Sequence, residues 1–174
     1  MKLIAVAMAL IAFQCFAGEI NFKGMPFGTS KTEFMQKYPA TSSMCFKRDA
    51  DQMDCCYLGV GFDVPTYADI LPKGATACFI DERFESIEMT FESSVYSDIV
   101  AAMAAKFGKP RSSAQVVQNG FGARFTQITK TWHLKDTDAF AKDFSPDLDS
   151  ATVMLMSRKY ENEIRKPKPP SHDL

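Results

Sequence analysis

The sequence predicts an α+β fold, in which an antiparallel sheet carries two main helices. Two stretches, near residues 31–38 and 93–107, place apolar residues at helical spacing. Short runs between and after them alternate apolar with polar residues, which is typical of strands with one buried face. The order of helix, strands, helix, strands favours helices packed on an antiparallel sheet.

The N-terminus has the layout of a secretory signal peptide, residues 1–17. Lys2 is a short positive region, and an uncharged apolar run follows it. Cys15 and Ala17 place small residues three positions and one position before a cut ahead of Gly18. We expect cleavage between Ala17 and Gly18, and a periplasmic or secreted protein. No stable membrane anchor is expected, because a spanning helix needs about 20 apolar residues.

The first helix is predicted to begin near Lys31. Ser30 and Glu33 have the spacing of a capping box. Phe34 and Tyr38 then fall on one helical face. The proline that follows Tyr38 ends the helix.

Strands are predicted on both sides of the second helix. Those of the first half lie at residues 44–47, 55–62, 75–81 and 84–92. Those of the second half lie at residues 114–118, 124–134 and 150–160. Residues 136–149 are rich in Asp and are predicted to form a loop.

The second helix, residues 93–107, has the clearest pattern in the chain. Val95, Ile99 and Met103 step by four, and four alanines favour helix. The stripe is extended by Tyr96, Val100 and Phe107. Gly108 and the proline two residues later end it. Its last turn resembles that of the first helix (MAAKFGKP against EFMQKYP), which suggests tandem α-βββ repeats. These repeats would span residues 24–92 and 93–160 of a single domain, residues 18–160.

Four cysteines follow the signal peptide: Cys45, Cys55, Cys56 and Cys78. An even number in an exported chain predicts two disulfides. A bond between the adjacent Cys55 and Cys56 would close a very tight ring, and on a strand their side chains point to opposite faces. We expect Cys45–Cys55 with Cys56–Cys78. The alternative, Cys45–Cys56 with Cys55–Cys78, stays open.

Other cysteine chemistry fits the spacing less well. A thioredoxin-like site needs Cys-x-x-Cys, and a structural zinc site needs two spaced pairs of ligands. Met44 and Met53 adjoin or closely precede cysteines and are of the ligand type that suits Cu(I), but methionine more often fills a core. We expect no metal and no cofactor.

Catalytic motifs are missing from the sequence. There is no G-x-S-x-G stretch, no P-loop and no G-x-G-x-x-G stretch. His133 alternates with Trp132 and Leu134, so it is expected to face solvent from a strand. The chain is therefore predicted not to be an enzyme.

The charge composition is balanced, with 20 Lys and Arg, 21 Asp and Glu, and a formal net charge of −1. Charge of both signs is mixed along most of the chain, so no nucleic-acid partner is expected. Residues 161–174 are rich in proline and lysine and are predicted to be a disordered tail.

The stretch GMPFGTSKTEFMQKYP, residues 24–39, resembles the opening of small exported bacterial proteins of the β-lactamase-inhibitor-like and outer-membrane-assembly small-lipoprotein type. The sequence KFGKP at residues 106–110 repeats part of it. The resemblance implies a helix-plus-antiparallel-sheet module, sometimes in tandem, that binds rather than catalyses. The chain departs from the lipoprotein members because it has no lipobox.

The sequence thus predicts an exported soluble protein-binding module of the bacterial envelope, of the inhibitor, immunity or assembly-factor type. Its partner would be an unidentified envelope or secreted protein. Aromatic side chains dominate interface energetics, and the candidates for this role are Tyr57, Tyr67, Phe79 and Phe84. The alternative is a periplasmic small-ligand or metal-binding protein.

Overall fold

The computed structural model describes residues 20–39, 45–48, 53–58, 64–118 and 120–166. The predicted signal peptide, residues 1–17, lies outside the described residues, as do residues 167–174 of the predicted tail. Met44 and residues 59–62, at the ends of two predicted strands, also lie outside them.

The described chain contains three helices and eight strands. The helices are α1 (Lys31–Lys37), α2 (Tyr96–Phe107) and α3 (Arg158–Ile164), and a short 3-10 turn, Ser93–Val95, leads into α2. The strands are β1 (Cys45–Arg48), β2 (Met53–Tyr57), β3 (Gly74–Ile80), β4 (Arg83–Glu92), β5 (Arg111–Gln118), β6 (Arg124–His133), β7 (Thr137–Lys142) and β8 (Ser150–Ser157).

All eight strands form one antiparallel sheet, in the order β1-β2-β3-β4-β8-β7-β6-β5. Each half of the chain starts at an outer edge and advances strand by strand to the centre, where β4 pairs with β8. Phe91 and Ala151 lie opposite each other at this junction. The two edges of the sheet are therefore β1 and β5, one from each half.

The prediction of an α+β fold with two main helices is wrong, because the structure is mainly β. Four strands, not three, follow each of α1 and α2. Both α1 and α3 have only seven residues. The predicted repeats, residues 24–92 and 93–160, stay a prediction.

Two elements are not indicated by local pattern. Strand β7 lies inside the Asp-rich segment that we expected to be a loop. Three of the six residues of its sequence, TDAFAK, are polar, so the sequence does not indicate that four of the six are buried. Helix α3 begins within the predicted strand 150–160 and extends into the predicted tail. Ser157 ends β8 and caps α3, since its side chain accepts a hydrogen bond from the Tyr160 amide.

The predicted helix and turn signals act as expected elsewhere. The Ser30 hydroxyl accepts from the Glu33 amide at 3.2 Å and caps α1. Gly108 follows α2 with a φ of 85°, a conformation that favours glycine. The β3–β4 turn is formed by Asp81 and Glu82, which both have positive φ. It lies one residue before the gap between the predicted strands 75–81 and 84–92.

The sheet separates two apolar clusters. Helices α1 and α2 cover one face, where the larger cluster includes Phe34, Phe84, Ile99 and Trp132. Helix α3 packs on the other face through Tyr160, against a smaller cluster composed of Met53, Cys55, Cys78, Ile80, Met154 and Met156. None of the described helices is long and apolar enough to span a membrane.

Candidate binding face

The candidate site is the sheet face opposite α1 and α2, which we call the open face. Strand register aligns its side chains in rows, because directly opposite residues in antiparallel strands point to the same side. One row runs from β2 to the β5 edge through Tyr57, Thr76, Glu88, Met154, Phe140, Thr131 and Arg111. Helix α3 packs on one part of this face. The β7–β8 loop covers another part, where the Phe144 and Ser145 carbonyls accept from the side chains of Gln127 and Thr152.

An aromatic pair lies at one end of the open face. Phe46 on β1 and Tyr57 on β2 are 38% and 50% exposed, and their ring centroids are 5.3 Å apart. Arg48 and Glu88 flank this pair, with a guanidinium nitrogen 3.9 Å from a carboxylate oxygen. Exposed aromatic rings beside charges of both signs are typical of protein-binding surfaces.

The four aromatic candidates from the sequence do not lie together. Tyr57 alone has an exposed ring; Phe79 and Phe84 are 1% and 0% exposed and pack in the larger cluster. The Phe84 ring stacks on Phe34 at 4.2 Å. Tyr67 is also buried, which raises the pKa of its hydroxyl to about 12. Only Tyr57 is therefore placed to contact a partner.

Phe46 is an exposed aromatic residue that is not among the four candidates predicted from the sequence. It adjoins Cys45 in a strand of only four residues, which is too short to show a clear alternation. The available signal is its position next to the cysteine. If Cys45 is tied to the core side of β2, its neighbour must point to the other face.

The disulfides lie on both faces and correct the expected pairing. Cys45 bonds Cys56, and Cys55 bonds Cys78. Each bond joins residues that are directly opposite in adjacent strands, with Cα atoms 4.0 and 4.1 Å apart. The expected pair Cys45–Cys55 is wrong because these two side chains point to opposite faces.

This arrangement supports the aromatic pair. The Cys45–Cys56 bond ties β1 to β2 beneath the open face, while Cys55–Cys78 ties β2 to β3 on the open face itself. Two covalent links thus hold three strands at the edge that carries Phe46 and Tyr57. A fixed edge reduces the entropy that is lost when a partner binds.

A charged network anchors α3 at the end of the open face. The buried carboxylate of Asp138 accepts from Arg158 Nη1 at 2.9 Å and lies 2.7 Å from His133 Nδ1. Arg158 also donates to Glu161 at 2.9 Å, and Arg165 donates to Glu161 at 2.7 Å. Arg158 thereby joins α3 to Asp138 of β7, whereas the Arg165–Glu161 pair lies within the α3 segment.

The pKa values of the two carboxyls in this network are shifted in opposite directions. Burial raises the pKa of Asp138, and the adjacent Glu161 adds to the rise, although His133 and Arg158 oppose it. The pKa of Glu161 is lowered, first by its hydrogen bond with Asp138 and then by Arg158 and Arg165. The network is therefore a structural attachment of α3 that depends on its cations.

His133 is half-exposed, as expected for a strand residue, but it is paired with Asp138. A His–Asp pair orients an imidazole in many catalytic triads. Across the residues with described positions, no serine, threonine or cysteine is hydrogen-bonded to His133 to complete one. The same residues contain no group of three or more His, Cys, Asp and Glu side chains that could hold a metal.

Two small clefts are lined in part by cationic side chains. One of about 230 Å³ lies between Lys23, Tyr67 and Lys106. The other, of about 150 Å³, lies at the start of β5 and is lined by Lys109, Arg111, Trp132 and His133, among others. Both are below the 300–1,000 Å³ that is usual for small-molecule sites. Two wider clefts, of about 360 and 540 Å³, reach that range; they lie beside the β7–β8 loop and share Asp147 and Leu148.

Comparisons with known proteins add no assignment: no protein-family model, curated protein or solved structure matches this chain. The fold and its site define a mainly-β protein with an eight-stranded antiparallel sheet, two disulfides and an exposed aromatic pair on one sheet face. The resemblance of residues 24–39 to small exported bacterial binding proteins remains an expectation.

Proposed function

We propose that the chain is an exported, non-catalytic protein-binding module of the bacterial envelope that binds its partner on the open face. The observation that carries this proposal is the exposed Phe46–Tyr57 pair, held on covalently linked strands. Aromatic anchors of this kind supply most of the binding energy in protein interfaces. The inhibitor, immunity or assembly-factor role belongs to the same proposal.

The proposed localisation rests on the cysteines. Disulfides persist in oxidising compartments and are rare in reducing ones. All four cysteines outside the predicted signal peptide are bonded in this structure. This pattern supports a periplasmic or secreted protein with a cleaved N-terminal segment.

The aromatic pair and the charges beside it predict the surface of the partner. Phe46 and Tyr57 would enter an apolar depression, while Arg48 and Glu88 at its rim would pair with opposite charges on the partner. Such rim pairs set orientation more than affinity. The partner is therefore expected to be a folded envelope or secreted protein with a pocket for two rings.

Site-specific photocrosslinking in the native cell tests this proposal. A photoreactive phenylalanine analogue replaces Tyr57 in one strain and Leu71, an exposed apolar residue just before β3, in a control strain. One dominant adduct from position 57, lacking from position 71, is the expected result. The captured protein is then purified and its affinity measured.

The matched variants are Phe46→Ser with Tyr57→Ser, and Leu71→Ser as control. We expect the double variant to lose about 2 kcal/mol of binding free energy or more, which is at least about thirtyfold in Kd. The control should bind as the natural chain does. Equal binding by all three proteins would rule out the open face as the contact surface.

A further inference from the structure

The outer edge of β5 is the longest exposed strand edge of the sheet. It has eight residues, against four in β1 at the other edge. In the described part of the chain, β5 pairs with β6 alone. One row of its backbone N–H and C=O groups therefore faces outward, in the geometry that accepts another strand.

This edge has few of the features that normally prevent pairing. Proteins protect strand edges with proline, inward-pointing charges, bulges or short length. Residues 111–118, RSSAQVVQ, contain no proline, and their pairing with β6 runs without a register shift. Seven of the eight residues are exposed, and Val116 is 68% exposed. The only charge on the strand is at its first residue, Arg111.

The segment around β5 is strongly basic although the whole chain has a net charge of −1. Residues 99–135 contain no Asp or Glu. Their cations are Lys106, Lys109, Arg111, Arg124, Lys130 and Lys135. The positive charge is concentrated at the start of β5, because Asp147 lies beside Val117 and Gln118 at its other end. A local excess of positive charge attracts acidic partners.

A cationic cleft lies at the start of this edge. Its volume is about 150 Å³, and its polar lining comes from Lys109, Arg111, Thr131 and His133. The apolar rings of Phe107 and Trp132 complete its lining together with Leu134. A space of this size accommodates one carboxylate side chain rather than a whole ligand, and cations with a hydroxyl match that group.

We propose that β5 binds an extended acidic segment of a partner protein by β-strand addition, with one of its carboxylates held in the cleft beside Lys109 and Arg111. Backbone hydrogen bonds to β5 supply the pairing, and the cleft sets the register. Up to eight residues of the added strand are accommodated along the edge. This surface is separate from Phe46 and Tyr57, which lie at the opposite edge.

The backbone edge distinguishes this partner from other polyanions. A nucleic acid or an anionic membrane would match the positive field but not a row of alternating backbone donors and acceptors. An extended polypeptide matches both. The binding should therefore depend on the partner's amide groups as well as on its charge.

The test uses three capped synthetic octapeptides and fluorescence anisotropy with the purified disulfide-bonded protein. The first peptide alternates glutamate with valine, and the second alternates lysine with valine. The third has the acidic sequence but carries N-methyl groups on alternate amides, which removes the donors of one edge. We expect the first peptide to bind at least about tenfold more tightly than either other one.

Charge-reversal variants locate the site. Lys109 and Arg111 are both exposed, so Lys109→Glu with Arg111→Glu should preserve the fold. This variant should lose about tenfold or more in affinity for the acidic peptide. Lys23→Glu with Lys37→Glu, on the other half of the chain, makes the same change in net charge and should stay within about twofold.

Amide hydrogen exchange provides a second readout. The acidic peptide should slow exchange in residues 111–118 and leave β1 unchanged. Equal binding of the N-methylated peptide, or an unchanged affinity of the Lys109/Arg111 variant, would overturn the proposal. So would binding only to phosphatidylglycerol vesicles or duplex DNA, since either would show a general anion surface. Undetectable binding of the acidic peptide would also overturn it.

Discussion

Cys55 and Cys56 are neighbours in the chain, yet their side chains lie on opposite faces of the sheet and enter different disulfides. Cys56 reaches Cys45 among the residues of the larger core cluster. Cys55 reaches Cys78 in the smaller cluster under α3. The pair therefore links β2 to both neighbouring strands at one level of the sheet.

Selective removal of cysteine pairs tests this connectivity. The double change Cys45→Ala and Cys56→Ala should leave no reactive thiol, because Cys55 and Cys78 stay bonded. The double change Cys45→Ala and Cys55→Ala should leave two, because Cys56 and Cys78 face opposite sides. Thiol labelling of the unreduced proteins measures both. Two labels in the first variant would contradict the pairing.

Each disulfide should also contribute to stability. Loops of 11 and 23 residues, closed by the two bonds, correspond to about 3 kcal/mol each in the chain-entropy description. Urea unfolding of the Cys45/Cys56 and Cys55/Cys78 double-alanine variants measures this contribution. A loss well under 1 kcal/mol in both would show that the strands need no covalent link.

The aromatic candidates should separate into two groups by stability. Phe84→Ala should lower the free energy of unfolding by about 3–5 kcal/mol, because it opens a cavity beside Phe34. Tyr57→Ala should cost less than about 1 kcal/mol, since half of its surface is exposed. Chemical denaturation of both variants measures the difference. A costly Tyr57→Ala would indicate a structural role for the open-face pair.

The charged network under α3 should depend on Arg158. Arg158→Met leaves Asp138 and Glu161 with too little positive charge, so we expect a loss of about 2–3 kcal/mol at pH 7. Arg165→Met, whose side chain is 73% exposed, is the control and should cost less than about 1 kcal/mol.

Acid should relieve the Arg158→Met defect. Glu161 has a lowered pKa, so its stabilising contribution is present above pH 4.5 and is lost as the pH falls. Asp138 has a raised pKa, so its stabilising contribution is fully present below pH 3.8 and is lost as the pH rises. Without Arg158, protonation removes two poorly compensated charges, and the difference from the natural chain should shrink towards pH 4. A difference that grows on acidification would contradict this account.

Two buried tyrosines should ionise at higher pH than ordinary tyrosines, and their ionisation should favour unfolding. Burial raises the pKa of Tyr67 and of Tyr96 to about 12. The Tyr96 hydroxyl also donates to the carbonyls of Ile128 and Ala141, at 3.2 and 3.3 Å. Because an unfolded tyrosine ionises near its ordinary 10.0, stability should fall as the pH rises from about 10 to about 12.

Tyrosinate absorbance against pH measures this ionisation. The double variant Tyr67→Phe with Tyr96→Phe should lose the two late groups from the titration curve. Each single variant should lose one. Persistence of both late groups in the double variant would show that other tyrosines produce them.

Local signals in the sequence predict the features that are formed by residues near one another in the chain. The Ser30 cap, the apolar stripe of α2 and the β3–β4 hairpin each depend on spacings of a few residues. The presence of two disulfides follows from counting cysteines in a chain predicted to be exported. The register of strands is a long-range property, so the same counting cannot choose among the pairings.

Tertiary structure alone decides which residues share a surface. Strand β7 is polar in sequence and becomes a strand because β6 and β8 pair with it on both sides. Phe84 is buried and Tyr57 is exposed, although both are aromatic residues in strands, because α1 covers Phe84 and the Tyr57 ring lies outside the cluster under α3. A residue's own neighbours set its tendency to form a strand, but the elements packed against that strand determine which of its faces meets solvent.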